Sequence, residues 1–216
     1  MSTKIAVITG AGRGLGLALA KEFTKNSGWQ VVGTGLSEAS ADFPKTAKYR
    51  QFDASNADEC VHFWKEIVTN YPDTEMCLVN NAGGYVGGTL AETPSEEYEK
   101  ILRMNYFPAV YMTQALVKAV ERARIITVVS ATALTPQANN TAYGASKSAE
   151  QYFFQALQSE LNHHKFPITN IYPNAIATRG PDPKAMLPEE LAAFVYEQAD
   201  VNRTYYIRDV TLYSYV

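Results

Sequence analysis

Tyr143 and Lys147 stand four residues apart in Tyr143-Gly-Ala-Ser-Lys147. On a helix that spacing puts both side chains on one face, a turn from each other. An ammonium held beside a phenol favours the phenolate, and a tyrosine so placed can give or take a proton near neutral pH. Alone, the pair is common on ordinary solvated helices. Its company raises it: Ser130 thirteen residues upstream, Asn105 before that, and a glycine-rich turn near the N-terminus.

The elements that must hold these side chains alternate regularly. Within Lys4 to Thr9, Ile5 to Ile8 is an unbroken apolar run, the pattern of a buried strand. It leads through Thr9-Gly10-Ala-Gly12-Arg13-Gly14-Leu15-Gly16 into a periodic helix carrying Leu17, Leu19, Ala20 and Phe23. Glycines between a strand and a helix let backbone approach a pyrophosphate, and the helix start adds amide donors and positive dipole. Strands follow at 30–34, 49–52, 76–79, 124–129, 168–172 and 206–212. Helices are predicted at 56–70, 95–120, 143–164 and 188–198. The helix at 56–70 turns Cys60, Phe63, Trp64, Ile67 and Val68 inward. Such alternation predicts one α/β domain over residues 1–216, a doubly wound parallel sheet with helices on both faces.

Composition narrows the partners. The chain has 216 residues, 46% apolar and 19% charged, with a formal net charge of -3, so nothing points to nucleic acid or an anionic membrane. No apolar run approaches the roughly 20 residues that span a bilayer. Met-Ser-Thr-Lys leads into the first strand without signal-peptide design. Cys60 and Cys77 have no metal spacing and read as free thiols of a reducing cytoplasm. His62, His163 and His164 have no acidic or cysteine neighbours at ligand spacing, so no metal site is expected.

With these motifs in order and at these spacings, the chain resembles the short-chain dehydrogenase/reductase family from its first strand to its last. The resemblance implies a Rossmann-type sheet and an enzyme exchanging hydride between a nicotinamide and a small carbonyl or alcohol. It makes Ser130, Tyr143 and Lys147 the catalytic trio: Tyr143 the proton donor or acceptor, Lys147 its activator and ribose ligand, Ser130 a donor to the substrate oxygen. Asn105 would hold a water that links Lys147 to solvent. Gly10, Gly14, Leu15 and Gly16 would form the cofactor turn. Asp53, with Ala54, would receive the adenine. Asn81, Ala82 and Gly83 would lie beside the adenosine ribose. Pro173, Ile176 and Thr178 would cap the nicotinamide end.

Cofactor choice is read at the end of the second strand, where NAD users of this fold place an acid. That position is Gly35, followed by Leu36. Arg13, before the second motif glycine, and Ser37 are left to take a 2′-phosphate. NADP(H) is therefore expected over NAD(H), with NAD(H) use still open. Asn174 replaces the glycine usual after the proline, and asparagine tolerates a left-handed turn. The region after Pro173 is short, which predicts a small substrate lid. Tyr85, Val86, Leu134, Gln137, Asn139 and residues 179–187 should line the pocket. Apolar residues on the helices at 95–120 and 143–164 exceed one inner face each, and the resemblance implies a homodimer or homotetramer pairing them. Two other readings stay open. Ala82-Gly-Gly-Tyr-Val-Gly-Gly88 is similar to the corresponding loop of dihydropteridine reductases, and the same fold also serves non-catalytic dinucleotide-binding regulators.

Overall fold

A computed structural model describes residues 4–178, 180, 182–199 and 205–214. Of the expected pocket segment, Arg179 and Pro181 lie outside the described residues, as do Tyr215 and Val216 of the C-terminal ending.

Seven strands run β1 (Lys4–Ile8), β2 (Trp29–Gly35), β3 (Lys48–Gln51), β4 (Glu75–Asn80), β5 (Arg124–Val128), β6 (Ile168–Pro173) and β7 (Asp209–Leu212). Five helices separate them: α1 (Gly14–Thr24), α2 (Ala57–Asn70), α3 (Ser95–Ala119), α4 (Thr141–Glu160) and α5 (Pro188–Ala199). The sheet order is β3-β2-β1-β4-β5-β6-β7, and each pairing is parallel. The doubly wound Rossmann-type fold expected from the alternation is therefore present. The order reverses between β1 and β4, and a doubly wound sheet binds ligands beyond the strand ends at that switch point.

Alternate residues of the strands feed two cores. Ala6, Ile8, Val31, Cys77, Val79, Ile126 and Ile171 pack on α1 and α5, around Leu19, Phe23, Leu191 and Val195. Ile5, Val7, Leu78, Ile125 and Ile168 pack on α2, α3 and α4, around Phe63, Trp64, Met112 and Phe154. The inward face expected for α2 is confirmed: Cys60, Phe63, Trp64 and Ile67 are buried, and Val68 packs against their edge. The Trp64 Nε1–H donates to the Met112 carbonyl at 2.9 Å, which satisfies the one polar atom of a fully buried indole.

Two boundaries differ from expectation by more than two residues. α4 ends at Glu160, not near His164, because Asn162 starts a turn: its side chain accepts from the His164 N–H at 2.9 Å, and its carbonyl accepts from Lys165 and Phe166. β7 begins at Asp209 rather than Tyr206; the Thr169 hydroxyl takes the Ile207 carbonyl at 2.6 Å, and ladder pairing starts opposite Asn170. No helix among the described residues is long and apolar enough to cross a membrane.

On the α3–α4 side of the sheet a polar row crosses the strands. Asn80, Thr127, Asn170 and Asp209 are successive register partners on β4, β5, β6 and β7. Asn80 donates to the Thr113 hydroxyl at 3.0 Å, and Asn170 donates to Asp209 at 3.0 Å.

Candidate active site

The glycine turn is built by close approach. Gly10 (φ +65°) and Gly14 (φ +54°) take the left-handed conformation that glycine adopts without strain. A Cβ on Gly10 would lie 2.8 Å from Ala82 Cα, and one on Gly16 would collide with the Gly10 carbonyl. The Ala11 N–H donates to the Thr34 carbonyl at 2.9 Å, pinning the turn to the end of β2. Thr9 locks it to the end of β4: its hydroxyl accepts the amides of Asn81 and Ala82, both at 2.9 Å. The Asn81 side chain donates back to the Thr9 carbonyl at 2.9 Å. So Gly10, Asn81, Ala82 and Gly83 form one wall. Leu15 and Gly16 are buried where α1 begins, at the sheet's C-terminal edge. The turn is a cradle that added side chains would fill, and its chemistry fits a dinucleotide phosphate.

Beside the glycine turn, Tyr49 is a residue that sequence reasoning placed only in a strand. Its hydroxyl donates to the Ser37 carbonyl at 2.8 Å and lies against Gly12 and Gly35, where a Cβ on Gly35 would meet it. Any side chain at position 35 would have to displace the Tyr49 hydroxyl. Arg13 is the exposed N-cap of α1, in extended backbone, and its side chain makes no cap hydrogen bond. Ser37 is exposed as well. Asp53 accepts the Ser55 amide on Oδ1 at 2.8 Å. Asn56, not Asp53, caps α2, accepting from Asp58 and Glu59 at 3.0 and 3.4 Å. Ala54 is half-buried beside it.

The loop after β6 folds back to the glycine turn. A Cβ on Gly14 would touch the Thr178 side chain at 3.4 Å. Ile176 bridges Met186, which shapes that loop from within. Pro173 is buried at the end of β6. Asn174, expected to need a left-handed turn, does not adopt a positive φ: the only non-glycine residues that do, among those described, are Asp73 and Asn139. Its amide instead continues the sheet edge, donating to the Leu212 carbonyl at 2.9 Å.

Lys147 and Tyr143 share the inner face of α4. The Lys147 Nζ donates to the Val128 carbonyl at 3.2 Å and to Glu150 Oε2 at 2.7 Å. Burial alone would lower the lysine's pKa, but the Glu150 carboxylate and the Tyr143 phenol beside it outweigh that and hold it above the usual lysine value. Burial pushes the Glu150 carboxyl up, against the pull of Lys147. Held above its ordinary value, the lysine keeps its proton at neutral pH. Glu150 is the second residue that sequence reasoning missed; an acid three residues after the lysine, on its helix face, was the available signal.

Ser130 follows β5 and is buried; its Oγ accepts the Thr132 amide at 3.1 Å, capping the 3₁₀ turn Ala131–Ala133. That turn packs on α4: a Cβ on Gly144 would meet Thr132 at 3.5 Å. Asn105 is fully buried in α3. Its Oδ1 accepts the Gly84 amide at 2.8 Å, and its Nδ2 donates to Ser146 Oγ, also at 2.8 Å. It ties the loop after β4 to α4. A Cβ on Gly83 would come 2.9 Å from Asn105 Oδ1 and 3.8 Å from Lys147 Nζ. The Tyr85 ring meets the Tyr143 ring edge-on at 5.1 Å, and its hydroxyl donates to Asn140 at 2.7 Å. These contacts bring Tyr143, Lys147, Asn105 and Gly83 together and set Ser130 at the adjoining strand end. Leu134, Gln137 and Asn139 are exposed on the loop before α4, Tyr85 is half exposed, and Val86 is partly buried.

Residues 4–185 match the short chain dehydrogenase family. The chain is 30% identical over 195 residues to the 1-deoxy-11-beta-hydroxypentalenate dehydrogenase of Streptomyces exfoliatus, covering 82% of this chain and 69% of that one. It is 25% identical over 218 residues to a 3-oxoacyl-[acyl-carrier-protein] reductase of Haemophilus influenzae, covering 97% and 88%. Among solved structures, an alcohol dehydrogenase of the archaeon Thermococcus sibiricus complexed with 5-hydroxy-NADP superposes with a TM-score of 0.85 at 20% identity, over 99% of this chain and 97% of that one. A short chain dehydrogenase of Burkholderia cenocepacia in complex with NADP gives 0.84 at 22% identity, over 97% and 96%. The chain belongs to the short-chain dehydrogenase/reductase family. It is an oxidoreductase of that family, an NAD(P)-dependent dehydrogenase or reductase.

Proposed function

We propose that the protein is a single-domain, NADP(H)-dependent reductase or dehydrogenase of a small carbonyl or alcohol, with Tyr143 as its proton donor and acceptor. The observation that carries this reading is the buried Lys147 ammonium, held beside the Tyr143 phenol at the end of the sheet where the glycine turn also lies. Bound there, the nicotinamide dinucleotide supplies or accepts the hydride. Gly10, Gly14, Gly16 and the start of α1 would hold its pyrophosphate. Arg13 and Ser37 would take the 2′-phosphate, and Asp53 with Ala54 the adenine. Asn81, Ala82 and Gly83 would flank one ribose and Lys147 the other. Pro173, Ile176 and Thr178 would close over the nicotinamide end.

Tyr143 gives its proton to the carbonyl oxygen in reduction and removes one from the alcohol in oxidation. Ser130 donates to the same oxygen, where negative charge develops. Asn105 fixes the geometry by joining the Gly84 amide to Ser146. NADP-bound structural neighbours and the crowding of Tyr49 against Gly35 both support NADP(H) over NAD(H). The half-buried rings on α3 and α4 support a homodimer or homotetramer. Two free, buried cysteines suit a cytoplasmic setting.

The test is Tyr143→Phe, assayed by nicotinamide absorbance with a panel of aldehydes, ketones and a quinonoid dihydropterin. Turnover should fall by about 10²–10⁴-fold while NADPH binding persists. Retention of most activity by the phenylalanine variant sinks the assignment. NADPH binding by the unmodified protein without turnover of any carbonyl favours the regulator reading, and preference for the pterin favours the pteridine reductase.

A further inference from the structure

One buried charged side chain has no part in the chemistry above. Glu150 lies about one turn beyond Lys147 on α4 and is 1% exposed, less than the lysine itself at 5%. An acid so deep is costly unless it is paired, and its partner is the Lys147 ammonium at 2.7 Å. With the Val128 carbonyl, Glu150 engages two of the three ammonium donors.

The surroundings suit a charge pair. α4 returns antiparallel to the strands, and Phe154 packs in one cluster with Ile125 and Ile168. Two residues further along those strands stand Thr127 and Asn170, register partners in the polar row. Asn80 Oδ1, Thr127 Oγ1 and Asn170 Oδ1 are buried there without a protein partner. Such atoms in register fit internal water, which softens the medium around a buried charge.

We propose that Glu150 is a positioning residue of the active site: its carboxylate holds the Lys147 ammonium in one place, and keeps it charged, beside Tyr143. The inference rests on the reading of Tyr143 and Lys147 as the acid–base pair. It differs from an ordinary structural ion pair in its consequence, because the charge it fixes is the one that Tyr143 and a ribose would use.

The groups facing the pair are few. On α4 itself it is Tyr143. α3 turns Asn105 and Tyr106 toward α4, and Tyr106 meets Phe153 there. The 3₁₀ turn contributes Thr132 and the loop after β4 contributes Tyr85, whose ring lies on Tyr143. β5 presents Thr127. β6 presents Asn170 and Tyr172, and the Tyr172 hydroxyl donates to Asp209 of β7 at 3.1 Å. Glu150 is thus the one carboxylate hydrogen-bonded to Lys147 among the described residues.

The experiment follows the lysine ε-carbon signals of ¹³C-labelled protein by NMR through an alkaline titration. Lys147→Met identifies the Lys147 signal by removing it. In the unmodified protein that signal should keep its ammonium position beyond the pH at which exposed lysines titrate. In Glu150→Gln it should titrate about 1–3 pH units lower, because burial then acts without the counter-charge. The alkaline limb of kcat/KM should move down by the same interval, and Glu150→Asp should restore part of it. Glu150→Met, similar in volume and uncharged, gives the same reading should the glutamine variant not fold. A Lys147 signal that titrates with the unmodified protein's in a folded Glu150→Gln or Glu150→Met overturns the proposal. The NMR arm needs no turnover, so failure of the acid–base reading, seen with Tyr143→Phe, is distinguishable from failure of the role given to Glu150.

Discussion

The proposed preference for NADP(H) rests on Arg13. It caps α1 with an exposed side chain, at the end of a helix where a cation is electrostatically out of place. A phosphate bound there would reverse that disadvantage. A charge-assisted contact of this kind contributes about 1.5–3 kcal/mol, or roughly ten- to a hundredfold in affinity. Arg13→Ala should raise the KM for NADPH by about that factor and leave the KM for NADH nearly unchanged. Equal or better use of NADH by the unmodified protein would overturn the preference. The cysteines allow a second check at this scale. Burial pushes both thiols up to about 12, so thiolate is scarce at pH 8. Iodoacetamide should leave Cys60 and Cys77 unmodified in the folded protein and alkylate both in denaturant, as read by intact mass. Rapid alkylation of the folded protein would show that one of them is reachable.

At the scale of elements, the start of α2 shows how a cap holds a site loop. Asn56 accepts two helix amides, and Glu59 reaches back to Asn56 Nδ2 and to the Asp53 amide, both at 3.1 Å. This reciprocal capping draws the loop after β3 against the helix and fixes the backbone that carries Asp53 and Ala54. Asn56→Ala leaves those amides without their acceptor and should cost about 1 kcal/mol. For a chain of this size that lowers Tm by about 2–4 °C, measurable by calorimetry. An unchanged Tm would mean that Glu59 alone suffices. α1 makes the complementary case. Its seat depends on Gly16, whose missing Cβ lets the first turn of the helix lie on the Gly10 carbonyl.

At the scale of the molecule, α3 and α4 carry several half-buried aromatic rings. Phe107 stacks on Tyr111 at 5.5 Å, Tyr106 meets Phe153 at 6.1 Å, and Tyr152 of α4 is 77% exposed. Pairing these helices across a two-fold axis would cover that surface. Sedimentation at micromolar concentration should show a dimer or tetramer, and Tyr152→Glu, a charge placed in an exposed position, should shift it toward monomer. A monomeric unmodified protein contradicts the proposal.

Local pattern alone determined much of this protein. The run Ile5 to Ile8, the glycines at 10, 14 and 16, and the alternation beyond them specify strand, turn and helix through short-range sterics and periodicity. Those forces leave their trace in consecutive residues. The spacing of Tyr143 and Lys147 likewise put them on one face without any knowledge of the sheet. Other features depend on residues far apart in the chain, and only packing decided them. Tyr49 reaches the glycine turn because β3 lies beside β2. Asn105 joins Gly84 to Ser146 because α3 crosses both. Asn174 needs no left-handed turn because β7 offers it the Leu212 carbonyl. Glu150 was visible as a letter three places after Lys147. Its meaning was not, because a carboxylate on a helix becomes a partner for a buried ammonium only once the tertiary structure has excluded water from both.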